Sequence, residues 1–321
     1  MDDRQLLEKL AAGPLSGDAL ARELGLTRAA VWKRIQGLRK AGVAIEGRAG
    51  DGYTLQRPVQ LLDAGRIRAG LPGPALAVLD SLDVAWSVGS TNSELLRCSV
   101  PERGSRVLLA ERQTQGRGRR GREWTSPLAA HIYVSVLRGF PGGLARLGGL
   151  SLAAGVAVAE ALQGLGVDSI GLKWPNDLVA DGRKLGGLLV EGGGEFAGAA
   201  HAVIGIGLNV DMPADMAATI GQPWTDLQTL RGAPVERNAV VAAVLARLLP
   251  ALEEFDQHGL APFLPRYAAL DSLAGREVRI EQGGQWQQGI ALGLADDGAL
   301  RVRLGDQEQH VHAGEVSVRA Q

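Results

Sequence analysis

The start of the chain is patterned as helices. Leu6, Leu7 and Leu10 recur at helical spacing. In SGDALARELG a second helix is expected, from the N-cap type Ser16 to a stop at Gly25. LTRAAVWKRIQGLRKAG predicts a third, from an N-cap at Thr27 to a stop at Gly42, with Val31, Ile35 and Leu38 repeating on its inward face. Only Gly25 and Leu26 separate the last two, the short glycine-containing turn of a helix-turn-helix. From Val43 to Gln56 apolar and polar residues alternate around GRAGDG, which predicts a hairpin. Three helices and a hairpin over residues 1–57 make a winged helix-turn-helix.

Residues 58–80 carry Pro58, Pro72 and Pro74 and read as a connector. The body, residues 81–268, mixes strand-like runs (SRVLLAER, HIYVSVLR, AHAVIGIGLNV) with helical runs at Ala145–Gly164 and Val240–Phe255. GLKWPNDLVADGRKLGGLLVEGG reads as strands joined by glycine turns. The most apolar stretch, Leu147–Val167, holds paired glycines and Glu160, so a buried helix is expected rather than a membrane span. Residues 270–321 change to about five short strands separated by GG, DDG and GD, the pattern of a small SH3-like barrel. The fold class expected is α+β, in several domains.

Composition narrows the picture. With 321 residues, two or three domains are expected. Net charge is −1, against a chain-wide polybasic nucleic-acid or membrane binder. Charge is uneven, however. Residues 22–57 hold eight basic and three acidic residues, a net of +5, and the third helix has cations but no acid. Thr27, Arg28, Lys33, Arg34 and Arg48 on that helix and wing are the candidate duplex contacts. One cysteine, Cys98, excludes an internal disulfide framework and a multi-cysteine zinc site, and the amino terminus lacks a signal-peptide pattern. A reducing cytoplasm is expected.

Four motifs carry candidate chemistry. ERQTQGRGRRGREW, Glu111–Trp124, interleaves glycines with five arginines between positions 112 and 122. Glycines admit a phosphate to backbone N–H groups, and guanidinium forks bind phosphate or carboxylate. These arginines repel one another unless an anion arrives or the loop stays mobile. An exposed basic loop or a nucleic-acid arm is the other reading. Second, KWPND and GRKLGG predict a hairpin with Lys173, Asp177 and Lys184 at one mouth, suited to charge on a transferring group and to the Mg²⁺ of ATP. Plain turn chemistry also accounts for Asn176–Asp177. Third, Ser90, Thr91 and Asn92 place small hydrogen-bonding side chains before a helix, where a simple N-cap is equally consistent. Fourth, GIGLN ends on Asn209, and Trp224 follows in a polar loop, suited to stacking on a base or to ordinary packing.

STN, GRGRRGREW, KWPNDL with GRKLGGLLVE, and GIGLN, in this order, resemble the biotin–protein ligases. With the winged helix in front and the barrel behind, the whole chain resembles their bifunctional ligase and repressor form. The resemblance implies a central class II synthetase-like mixed sheet flanked by helices. It implies that Ser90, Thr91, Asn92 and Gln113 bind the biotin ring, and that Arg117, Gly118 and Arg119 close over the biotin carboxylate and adenylate phosphate. It further implies that Lys184 contacts both groups, that Asp177 lies near the attack site, and that Asn209 and Trp224 border the nucleotide. Biotin and MgATP would give biotinyl-5′-AMP, and a lysine of a biotin carboxyl carrier protein would take the biotin. No resident metal is implied, since Mg²⁺ enters with ATP. The adenylate-bound form would be a homodimer on operator DNA. The alternatives are a repressor that senses the adenylate without transferring biotin, a lipoate–protein ligase, and a nucleic-acid-binding module.

Overall fold

The computed structural model describes residues 3–48, 52–218, 220–282, 285–313 and 317–320. At the amino-terminal end lie α1 (Asp3–Ala12), α2 (Gly17–Leu24) and α3 (Arg28–Lys40). Ser16 Oγ accepts from the Ala19 N–H and Thr27 Oγ1 from the Ala30 N–H, so both expected caps form. Gly25 ends α2 at φ 62°. The C-cap of α3 is Ala41, one residue before the expected stop, and Gly42 follows at φ 99°. Leu6, Leu7, Leu10, Val31, Ile35 and Leu38 fill the core of this unit. β1 (Ile45–Arg48) pairs antiparallel with β2 (Gly52–Leu55) as the wing. Its expected tip, residues 49–51, lies outside the described residues.

Residues 58–80 connect the units and also carry secondary structure: α4 (Ala64–Ala69) and α5 (Gly73–Ala77). Leu62, Ile67, Leu71 and Ala75 point into the core of the central body, so apolar burial anchors this stretch. The body comprises β3 (Leu79–Ala85), α6 (Thr91–Leu95), β4 (Ser105–Ala110), β5 (Ile132–Phe140), α7 (Leu150–Gly164), β6 (Ile170–Lys173), β7 (Asp177–Ala180), β8 (Arg183–Gly194) and β9 (Ala200–Leu208). After it come α8 (Ala214–Ala217), α9 (Leu227–Arg231), α10 (Arg237–His258) and α11 (Leu264–Leu270). The seven strands form one sheet in the order β3-β4-β5-β9-β8-β7-β6, with β3 and β4 parallel and the other neighbours antiparallel.

Strand alternation divides the labour of the sheet. Val134, Val136, Ile204 and Ile206 belong to the large core shared with α7 and α10. Tyr133, Ser135, Gly205 and Gly207 alternate with them and face the other way, where α6 packs. α7 starts at Leu150 rather than at the expected Ala145, because Gly149 takes a left-handed φ of 82° and breaks the run. It is buried nearly all round, and no described helix is long and apolar enough to cross a membrane. α10 extends beyond the expected Val240–Phe255 at both ends.

β10 (Glu277–Gln282), β11 (Gln285–Leu294), β12 (Leu300–Leu304), β13 (Gln307–Val311) and β14 (Ser317–Ala320) form the carboxy-terminal antiparallel sheet, ordered β13-β12-β11-β10-β14. The GG turn at 283–284 lies outside the described residues. Trp174, buried in KWPND, donates from Nε1 to Gly298 O at 3.1 Å and ties this sheet to the body. The amino-terminal unit is tied as well: Leu128 and Ala129 join its core, and the Leu128 N–H donates to Ala41 O at 2.8 Å.

Candidate active site and nucleic-acid interface

Two glycines of GIGLN open the outer face of the sheet. Ser135, Gly205 and Leu189 stand side by side across β5, β9 and β8, and Tyr133, Gly207 and Gly187 form the next row. A Cβ at Gly205 would lie 2.3 Å from Asn92 Oδ1, and one at Gly207 would lie 2.6 Å from the Trp124 indole. Both positions must be bare for these side chains to lie on the strand.

The first cluster assembles there. Ser135 Oγ donates to Asn92 Oδ1 at 2.6 Å or to Thr91 Oγ1 at 2.7 Å. The Thr91 N–H and hydroxyl reach Gln113 Oε1 at 2.9 and 3.1 Å. Asn92 Nδ2 donates to Glu191 Oε2 at 2.8 Å and to Leu189 O at 3.2 Å. Ser90 occupies the N-cap position of α6 but makes no side-chain cap, so the simple capping reading does not account for it. Ser90, Thr91, Asn92 and Gln113 thus lie in one place.

The cations converge beside them. Arg117 donates to Ser93 Oγ at 2.6 Å and grips Glu191 at 3.0 and 3.1 Å. Lys184 Nζ stands 2.8 Å from Asp177 Oδ1 and 5.5 Å from the centre of the Trp124 ring. KWPND to Lys184 is not one hairpin, as expected, but two successive turns. Lys173 pairs with Asp177 in the β6–β7 ladder, and β7 turns again into β8, with an irregularity after Leu178. Asp177 is therefore a strand residue, and Lys184 still meets it. Arg119 donates to Asn176 Oδ1 at 3.3 Å and to Ala313 O of the carboxy-terminal unit. Among the described residues no carboxylate pairs with it. Burial pulls the pKa of its guanidinium below the usual value; Asp177 opposes this, while Arg120 and Arg122 add to it. Self-repulsion in the arginine loop is met by protein groups: Glu191 for Arg117, and Glu281 3.8 Å from Arg120.

Asn209 Nδ2 donates to Thr225 O at 3.1 Å and to Lys184 O at 3.5 Å. Trp224, half-buried, bridges to Lys184 along the backbone. Both therefore frame the Lys184 segment. Gly118 has room for a Cβ, whose nearest neighbour would be 3.8 Å away, so packing within the chain does not demand a glycine there. Sequence reasoning missed Ser93, Trp124, Ser135 and Glu191. A signal existed for Glu191, the one acid in the apolar, glycine-rich run from Leu185 to Gly194. Among the described residues no group of three or more His, Cys, Asp or Glu is placed to hold a metal.

On the helix-turn-helix, Thr27 is exposed and also caps α3. Lys33 is exposed. Arg28 lies 3.7 Å from Asp18, and Arg48 2.9 Å from Glu46, all at the surface. Arg34 differs from the other candidates: it turns inward to Asp3 at 3.0 Å, bracing α3 against α1.

A sheet face with converging cations, joined to a helix-turn-helix, defines a group-activating ligase with a nucleic-acid-binding unit. Comparison with known proteins agrees. The model described as the biotin/lipoate A/B protein ligase family matches residues 87–209, an HTH-domain model matches 3–54, and the biotin protein ligase C terminal domain matches 274–319. The bifunctional ligase/repressor BirA of Escherichia coli is 40% identical over 317 residues, covering 98% of this chain and 97% of that protein. The biotin–[acetyl-CoA-carboxylase] ligase of Mycobacterium tuberculosis is 36% identical, covering 73% of this chain and 88% of that protein. A biotin protein ligase from Aquifex aeolicus, solved in complex with biotin and ATP, superposes with a TM-score of 0.65 at 28% identity, covering 75% of this chain and all of the other. The chain belongs to the biotin–protein ligase family, in its bifunctional ligase/repressor form.

Proposed function

We propose that this chain makes biotinyl-5′-AMP from biotin and MgATP, transfers the biotin to a lysine of a biotin carboxyl carrier protein, and represses transcription while it holds the adenylate. The observation that carries the reading is the meeting of Arg117, Arg119, Lys184 and Asp177 beside the Ser90–Thr91–Asn92 cluster. In the first step a biotin carboxylate oxygen attacks the α-phosphorus and the bond to pyrophosphate breaks. In the second the lysine amine attacks the acyl carbon and AMP leaves. Negative charge concentrates on one phosphate in both steps. Arg119, half-buried and with no carboxylate partner among the described residues, and Lys184 are the donors suited to it.

Thr91, Asn92 and Gln113, already held by their own bonds, would present the polar ring of biotin with fixed groups, with Ser90 beside them. Gly118 would let the loop approach the ligand, and its closure would shield an adenylate that water destroys. Asn209 and Trp224 would border the nucleotide through the Lys184 segment. Mg²⁺ would enter with the triphosphate, and Asp177 is the carboxylate at hand for it. Residues 1–57 would serve DNA binding, with Arg28, Lys33 and Arg48 reaching phosphates and Thr27 at the helix start. Two such units on an adenylate-bound homodimer would meet a two-fold operator. Cys98 is a free, exposed thiol, and we place the chain in the cytoplasm on that account.

The test is mass spectrometry of a biotin-acceptor domain after incubation with the chain, biotin, ATP and Mg²⁺. A gain of one biotinyl group is expected, with the rate down ~100–1000-fold in Lys184→Ala. Tight biotin binding without transfer would replace the ligase with a sensor-repressor. Absence of biotin binding would overturn the reading.

A further inference from the structure

Trp32 is 58% exposed on α3, although Val31 beside it is sealed. Arg28, Ala29, Trp32, Lys33, Gly37 and Lys40 are exposed and recur every three or four residues, so they share one outward face. Half-buried Gln36 stands one turn beyond Trp32. Gly37 sits inside the helix, where glycine weakens it, and a Cβ there would meet nothing within 4 Å. Among the described residues, none fills that open space.

Charge identifies the partner. α3 has no acidic residue. Arg34 and Arg39 are spent on the protein, on Asp3 and on Ile45 O. Lys33 and Lys40 make no ion pair among the described residues. A flat apolar ring bordered by free cations, on a face with small residues at Ala29 and Gly37, fits a DNA duplex: phosphates for the lysines and base edges for the ring. Trp32 is the fifth residue of α3, in the half of a recognition helix that meets bases. An indole has one donor and no acceptor, so it cannot read a two-point hydrogen-bond pattern. The apolar feature in the major groove is the thymine methyl group. A glutamine one turn on suits the N6 and N7 edge of adenine.

We propose that Trp32 is a specificity-determining residue that packs its ring against a thymine methyl in the major groove, with Gln36 on an adenine beside it. The inference rests on the DNA-binding reading above. It is tested by selection from random duplexes of the full chain with biotin and MgATP, as wild type, Trp32→Ala and Lys33→Ala. Wild type is expected to enrich a two-fold site with one fixed thymine in each half. Trp32→Ala should enrich the same site with that position randomised, while ligating biotin at the wild-type rate. Lys33→Ala should weaken binding to all duplexes alike and lower the salt slope by about one. Replacing the fixed thymine with uracil removes only the methyl. It should weaken wild-type binding about fourfold per substitution, the equivalent of one buried methyl, and leave Trp32→Ala unaffected. A variant that keeps the thymine, or an equal loss on uracil substitution in both proteins, overturns the inference alone. A wild type that enriches no sequence overturns the DNA-binding reading and the inference with it.

Discussion

Gly205→Ala should cripple biotin binding without unfolding the chain. The added Cβ would lie 2.3 Å from Asn92 Oδ1, 2.9 Å from its Cγ and 3.0 Å from its Nδ2. Ordinary contact begins near 3.4 Å, so the amide must withdraw by roughly 1 Å. It is not free to do so, because Ser135 Oγ at 2.6 Å, Glu191 Oε2 at 2.8 Å and Leu189 O at 3.2 Å hold it. Overpacking of this kind costs ~1–3 kcal/mol. In a chain of this size that lowers the melting temperature by only a few degrees. A polar group displaced by ~1 Å in a binding site costs up to ~100-fold. Calorimetric titration with biotin should therefore show Kd raised ~10–100-fold beside a modest shift in a thermal melt. A cycle with Asn92→Ala isolates the cause: once the amide is gone, the three atoms nearest the methyl at 205 are removed and it should add little. Biotin affinity within threefold of wild type in Gly205→Ala, or strictly additive losses in the cycle, would refute the reasoning.

Two further outcomes follow from the same geometry. Glu191→Ala removes the shared anchor of Asn92 and Arg117 and should raise the biotin KM of the adenylation step at least ~10-fold; Glu191→Gln, which keeps an acceptor for Asn92, should be milder in steady-state kinetics. His131 is fully buried, accepts the Val210 N–H on Nδ1 at 3.0 Å, and is pushed down to about 4, chiefly by burial. Its unfolded form titrates near 6.5, so the unfolded state binds the proton first as pH falls. Stability is complete above ~6.5, declines by up to ~3 kcal/mol between ~6.5 and ~4, and is flat for this group below that. Denaturant melts against pH should show that slope, and His131→Asn, which keeps an acceptor without titrating, should remove it.

The fold was legible wherever local pattern decides it. Ser16, Gly25 and Thr27 mark helix ends by backbone chemistry that needs no tertiary partner. The even positions of β5 and β9 follow from strand alternation. Boundaries failed where one glycine outweighed a long apolar run, as Gly149 does ahead of α7. The two turns between Lys173 and Lys184 were read as one, because turn residues do not reveal how many times the chain reverses. At the site, residues grouped by motif were found together, yet Ser135 and Glu191 were missed. Their role comes from strand register: Ser135 stands opposite Gly205, and Leu189 flanks it from the other side. That register joins segments some 70 residues apart, and no local spacing encodes it.

Register also explains why a ligase and a helix-turn-helix share one chain without a free linker. The Trp124 indole lies on Gly207 and faces Lys184. Two residues on, Ser126 Oγ donates back to Trp124 O at 2.9 Å, and Pro127 O accepts from the buried Tyr133 hydroxyl at 2.9 Å. Leu128 and Ala129 then enter the core of the helix-turn-helix unit. Past the end of α3, a Cβ at Gly42 would lie 3.0 Å from Pro127 Cβ and 2.9 Å from Met216 Sδ, so the recognition helix ends against both segments that flank the Lys184 site. Arg57, leaving the wing, closes on Asp211 at 2.6 Å. Close-packed segments pinned at both ends do not deform gradually; they shift between discrete arrangements or not at all. Trp124–Ala129 thus runs unbroken from the Lys184 side chain into the core on which α3 rests.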